Sequence, residues 1–196
     1  MFKLQLTITL IILGFFLSSF IFTHSRNRTP PGTTLVKEVG YWIDKEEIKI
    51  ADWQEFYFYI KNAYGVDSAS TIIPDTNLIK KHFYLQSYSG LTLKEKYKLP
   101  IVGVTLYQIM LYCKFRTEVV NYKYKSNFEY TPLKIEIFDY LNSKGKKVRN
   151  LNPIGSNVPE IVVISNDSIK IANQIHRNIN NEDNLFFGFR CIVVKI

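Results

Sequence analysis

An α+β domain is predicted by three features of the sequence. Two capping-box patterns open helical stripes of large apolar residues, short extended runs lie before and between them, and loop-rich chain separates the later elements. The first helix is expected from Asp52, with Glu55 three residues on as its capping partner. Trp53, Phe56, Tyr57 and Ile60 then recur at helical spacing, and Gly65 is placed to end the run. Before it, Tyr41-Trp42-Ile43-Asp44 reads as a strand followed by a turn.

Thr105 and Gln108 form the second capping box, and Leu106, Ile109, Met110 and Cys113 make the expected buried stripe of a second helix. Pro100–Val104 leads into it as a short extended run. A third helix is expected over Thr131–Leu141, with Thr131 as cap, Pro132 at the first helical position and Gly145 beyond its end. Asn150–Pro159 is rich in Asn, Pro and Gly and reads as loop. Ile161–Ile164 is a short apolar run, and Leu185–Ile196 reads as a closing strand.

The chain has 196 residues, enough for one domain of ordinary size and a leader. Lys3 is followed by a mostly apolar run from Leu4 to Phe22, the pattern of a signal peptide or an uncleaved membrane anchor. Residues 1–22 are therefore read as leader or anchor, 23–34 as a linker and 35–196 as the domain. An extracytoplasmic location follows, either secreted or held at the membrane through residues 4–22. The formal net charge is +8, but the positive residues are scattered, which fits a solvated basic surface and gives no nucleic-acid footprint.

Cys113 and Cys191 are the chain's two cysteines. An even pair far apart in an oxidising compartment fits a disulfide, and two buried free thiols is the other reading. Closing so long a loop would stabilise the fold by roughly 4 kcal/mol in the chain-entropy model. The histidines His24, His82 and His176 make no HxH or HExxH spacing, and no nucleophile elbow, P-loop or paired-cysteine zinc motif occurs.

Four segments, in order, resemble the formylglycine-generating-enzyme, or sulfatase-modifying-factor, family. Tyr41–Ile48 with Trp53 and Phe56 is similar to the family's opening aromatic and acidic segment. Pro100–Gln108 leading to Leu111-Tyr112-Cys113-Lys114-Phe115-Arg116-Thr117 is similar to its Pro-Val-Val-Gly-Val and Ala-Tyr-Cys-x-Trp-Arg-Thr stretch. Asn157-Val158-Pro159-Glu160 resembles its Gly-Asn-Val-x-Glu-Trp motif, and Gly188-Phe189-Arg190-Cys191 its Gly-Phe-Arg-Cys signature. Pro74-Asp75-Thr76 is further similar to a feature of gliding-motility and secretion-associated bacterial members.

The resemblance implies a C-type-lectin-like fold and places Cys113 and Cys191 at the positions of a structural disulfide. It also offers Asn157 and Glu160 as oxygen ligands for calcium, the only cofactor it suggests here. A turn held by Asn side chains, with Glu160 satisfied by backbone N–H groups, is the alternative. Departures from the pattern are equally plain. Ser156 and Ile161 stand where the family has Gly and Trp, and the chain is short between Thr117 and Gly188. Ile171–Phe187 lacks the cysteine pair that binds copper in the catalytic members. No catalytic residues are expected.

The function expected is that of a pseudoenzyme: a structural or binding component of the bacterial cell envelope, with another envelope protein as the partner class. Two alternatives accompany it: an oxidoreductase with an unrecognised active site, of formylglycine-generating or other type, and a calcium-dependent, lectin-like binder.

Overall fold

The structure, a computed structural model, describes residues 29–78, 90–143, 151, 160–165, 168–171 and 187–196. The expected leader, the three histidines, Gly145, Asn157 and nearly all of Ile171–Phe187 lie outside these residues.

The observed class is α+β. Strands β1 (Thr33–Val36), β2 (Tyr41–Asp44), β3 (Phe128–Pro132) and β6 (Cys191–Lys195) form one antiparallel sheet in the order β1-β2-β6-β3. The C-terminal strand thus sits at the centre, between β2 and β3. Strands β4 (Ile161–Ser165) and β5 (Ser168–Ile171) make a separate antiparallel pair. Backbone hydrogen bonds that join separate parts of the chain include Val163 N–H to Leu133 O at 2.8 Å, Ile161 N–H to Gly188 O at 2.9 Å, and Leu133 N–H to Arg190 O at 3.1 Å.

Helices α1 (Ile50–Ser70) and α3 (Leu106–Tyr124) carry the long apolar stripes, with the short helix α2 (Leu93–Lys96) between them. Helix α4 is Ile135–Ser143. Strand alternation divides the core in two. Trp42, Cys191, Val193, Phe128 and Tyr130 pack with the stripes of α1 and α3, while Ile43, Ile192 and Val36 pack with Leu133, Ile137, Phe138 and Val162. Aromatic rings fill the first cluster: Trp53 stacks on Tyr112 with centroids 5.6 Å apart, and Phe189 meets both edge-on.

Several boundaries differ from the sequence reading. Helix α1 starts three residues earlier than a cap at Asp52 would allow, with Lys49 as its N-cap. Asp52 instead lies inside the first turn, and its Oδ2 accepts from the Lys49 N–H at 2.9 Å. The earlier start is fixed by tertiary pairing, because Ile50 N–H donates to Leu99 O and Ile101 N–H to Ile48 O. Gly65, at φ 90° and ψ 174°, does break the helix, but one further turn follows it.

The capping box at Thr105 and Gln108 forms as expected, with Thr105 N–H to Gln108 Oε1 at 2.9 Å. The buried face of α3 is nevertheless Ile109, Tyr112, Cys113 and Val120, and Met110 is 45% exposed. Thr131 and Pro132 do not open a helix. They pair with Ile192 and Cys191 in β3, an edge strand, where proline's missing N–H is tolerated. The closing strand is shorter than expected, because Gly188 bridges to Glu160 and the Arg190 side chain turns into a buried ion cluster. Pro30 is buried and Thr33 is in β1, so the last residues of the expected linker belong to the folded body.

Gly103 sits at φ +73°, and a Cβ there would lie 2.8 Å from the Asp75 carbonyl oxygen. The same contact brings Asp75 N–H to Gly103 O at 2.8 Å, tying Pro74-Asp75-Thr76 to the entry of α3. Gly103→Ala is therefore expected to destabilise the fold by roughly 2 kcal/mol or more. Thr105→Ala should cost about 1 kcal/mol through loss of the cap. Urea unfolding of the two variants should give that ranking; equal effects would deny the close approach at Gly103.

Candidate functional site: a buried ionic and thiol junction

Charged residues inside the apolar motifs converge where β2, α3 and the start of β6 meet. Asp44 ends β2 and is almost fully buried. Its Oδ2 accepts from Arg116 Nη1 at 2.6 Å and from the Cys191 N–H at 2.8 Å. Arg116 extends from α3, donates through Nη2 to Pro31 O at 3.1 Å, and lies 4.5 Å above the Tyr130 ring. Burial is the largest single influence on Arg116 and acts to lower its pKa, but the Asp44 carboxylate together with Cys191 and Tyr112 more than offsets it, so the guanidinium is held charged more firmly than usual.

A second ionic group is centred on Arg190, which has no exposed surface. Its Nε donates to Glu160 Oε1 at 3.1 Å, and its Nη2 lies 3.0 Å from the same oxygen. Nη2 also lies 3.6 Å from Glu47 Oε1, and Nη1 donates to Lys45 O at 3.1 Å. Glu160, expected as a calcium ligand, therefore has a guanidinium as its neighbouring cation. Asn157 lies outside the described residues, and those residues contain no group of three or more His, Cys, Asp or Glu arranged to hold a metal ion.

The two cysteines meet between these ionic groups. Cys113 on α3 and Cys191 at the start of β6 are both buried, and their sulfurs are 3.4 Å apart as thiols. Burial, together with the contact from Cys113, raises the Cys191 thiol pKa well above its ordinary value. A neutral thiol is a poor nucleophile, but two sulfurs facing each other are poised for a bridge.

A cleft of about 530 Å³ opens beside the junction, with Asp44, Glu47, Asp52, Tyr112 and Arg116 among its walls. Asp44 Oδ1 and the Tyr130 hydroxyl are buried, with no hydrogen-bond partner among the described residues. Burial raises the pKa of both Tyr112 and Tyr130 above the normal phenol range. In the sequence Asp44, Glu47, Arg116 and Arg190 stand within the motif segments with no individual role. Their signal was present: formal charges inside segments otherwise made of core residues.

No helix among the described residues is long and apolar enough to cross a membrane. No protein-family model, curated protein or solved structure matches this chain.

Two measurements probe the junction. Arg190→Met leaves the buried Glu47 and Glu160 carboxylates without their guanidinium and should cost about 3–5 kcal/mol. A loss below 1 kcal/mol in urea unfolding would mean that the cluster is not buried as described. The tyrosines give a pH signature. Above about pH 10 the unfolded chain releases phenol protons that the folded protein keeps, so stability falls as pH rises, by ~1.4 kcal/mol per pH unit per group. Tyr130→Phe should flatten that alkaline decline without loss of stability at pH 7; an unchanged slope would contradict it.

Proposed function

We propose that this chain is an exported, non-catalytic domain of the sulfatase-modifying-factor family, with that family's C-type-lectin-like fold, and a structural or binding component of the bacterial cell envelope. One observation carries the reading: residues from all four motif segments meet in a single buried junction. The opening segment supplies Asp44 and Glu47, and the helical segment supplies Cys113 and Arg116. Glu160 comes from the third motif, Arg190 and Cys191 from the last. Each of these side chains is spent on holding chain segments together.

The sulfur contact supports a structural Cys113–Cys191 bridge in the oxidising compartment. That use leaves neither thiol for copper, in keeping with the absence of cysteine from Ile171–Phe187. The Arg190 guanidinium against Glu160 favours an ionic role for that carboxylate over calcium ligation. Binding of another envelope protein is the activity such a scaffold would serve, with residues 4–22 holding it at the membrane if they are retained.

Intact mass of the protein recovered from the envelope tests the structural half. A gain of about 2 Da on reduction is expected from the single bridge, and an unchanged mass would remove it. The same spectrum reports whether residues 1–22 have been cleaved. The catalytic half is tested by incubating the copper-treated protein with a cysteine-containing sulfatase peptide. The peptide should remain unmodified; conversion of its cysteine to formylglycine would overturn the proposal.

A further inference from the structure

A second concavity lies between α1 and α3, lined by none of the junction's ionic or thiol side chains. It has a volume of about 420 Å³, within the range of small-ligand sites. Helix α1 breaks at Gly65 beside it, and the groove is bordered by Tyr59 and Tyr64 before the break and by Tyr107 on α3. Tyr64 is 62% exposed and Tyr107 66%, far more than core packing requires. Lys114 and Glu118 add one charge of each sign, so the lining suits a neutral ligand.

The hydrogen-bonding capacity of this lining narrows the class. Ser68 and Thr71 spend their hydroxyl protons on the carbonyls of Tyr64 and Ser68, at 3.1 and 2.7 Å, which leaves their oxygens as acceptors. Glu118 receives the Tyr59 hydroxyl at 3.1 Å, and a carboxylate has lone pairs for more than one donor. The groove therefore suits a ligand with O–H or N–H donors beside a flat apolar face, while Lys114 and the Tyr64 and Tyr107 hydroxyls can donate to that ligand's oxygens. A proline-rich peptide offers the apolar face but few donors, because proline has no N–H. A pyranose ring offers both, with C–H groups to lie on tyrosine and hydroxyls around its edge.

We infer that the groove between α1 and α3 is a metal-independent binding site for a neutral saccharide, stacked on Tyr64 and Tyr107 and hydrogen-bonded to Glu118. Gluco-configured β-linked sugars meet this requirement, since their hydroxyls are equatorial and their ring faces carry only C–H. The site shares no residue with the proposed pseudoenzyme junction, so it stands or falls independently of that reading.

The test is titration calorimetry of the full-length chain with cellotriose and with chitotriose, in a zwitterionic detergent that carries no sugar and with a chelator present. Saturable binding of at least one trisaccharide is expected. Tyr64→Ala and Tyr107→Ala should each weaken it by about tenfold or more, and Tyr107→Phe should stay within about threefold of the unmodified chain. Circular dichroism of each variant checks folding, and Glu118→Gln, on an exposed position, gives a second route to weakened binding. No heat from either sugar at millimolar concentration would overturn the inference. So would affinity unmoved by the alanine substitutions, binding that requires calcium, or tighter binding of a decaproline peptide.

Discussion

One carboxylate oxygen ties together three parts of the chain that are remote in sequence. Asp44 Oδ2 accepts hydrogen bonds from the Arg116 guanidinium on α3 and from the backbone N–H of Cys191 at the start of β6. Because Asp44 is the last residue of β2, that oxygen fixes the distance between sheet and helix and the point at which the central strand enters the sheet. An ionised carboxylate in a buried place is stable only with such partners, since its desolvation is otherwise too costly. The aromatic core of α1 and α3 is then packed around a point already set by charge.

The arrangement explains why the sheet places its last strand in the middle. The N–H of Cys191 is held by Asp44, and Arg190 just before it is held by Glu160, Glu47 and the Lys45 carbonyl. Between these anchors the backbone leaves the ion cluster and enters β6, where it pairs with β2 and β3. Arg190 also reaches both ends of the long stretch between Lys45 and Glu160. Removing either partner of such a pair strands a charge, so the cluster specifies one arrangement of segments more sharply than apolar contact alone would.

Helix α3 is the common wall of both concave regions. Its Tyr112 and Arg116 line the cleft beside the ionic junction, while Tyr107, Lys114 and Glu118 line the groove against α1. Residues four apart share a face of a helix and those two apart do not, so one helix serves a core, a polar cleft and an aromatic groove at once. Its C-terminal end is tied to β3 by Asn121, whose side chain both donates to and accepts from the backbone of Phe128. The wall is therefore held at both ends, by the Thr105 cap and by this strand contact.

Local chemistry in the sequence was enough for much of this fold. The capping box at Thr105, the stripe from Trp53 to Ile60 and the break at Gly65 rest on interactions within a few residues and formed as local rules require, while the extended segment Tyr41–Asp44 is a strand whose partner β6 lies far along the chain. The sequence also determined that two cysteines, and no more, are present. Only the tertiary structure decided the start of α1, where Leu99 and Ile101 supply distant hydrogen-bond partners to Ile50 and Ile48, and the fate of Thr131 and Pro132, which pairing with β6 draws into a strand. It alone placed Asp44, Arg116, Glu160 and Arg190 together and set the two sulfurs side by side. Such contacts join residues tens of positions apart, and no periodicity or cap along the chain encodes which distant charge will meet which.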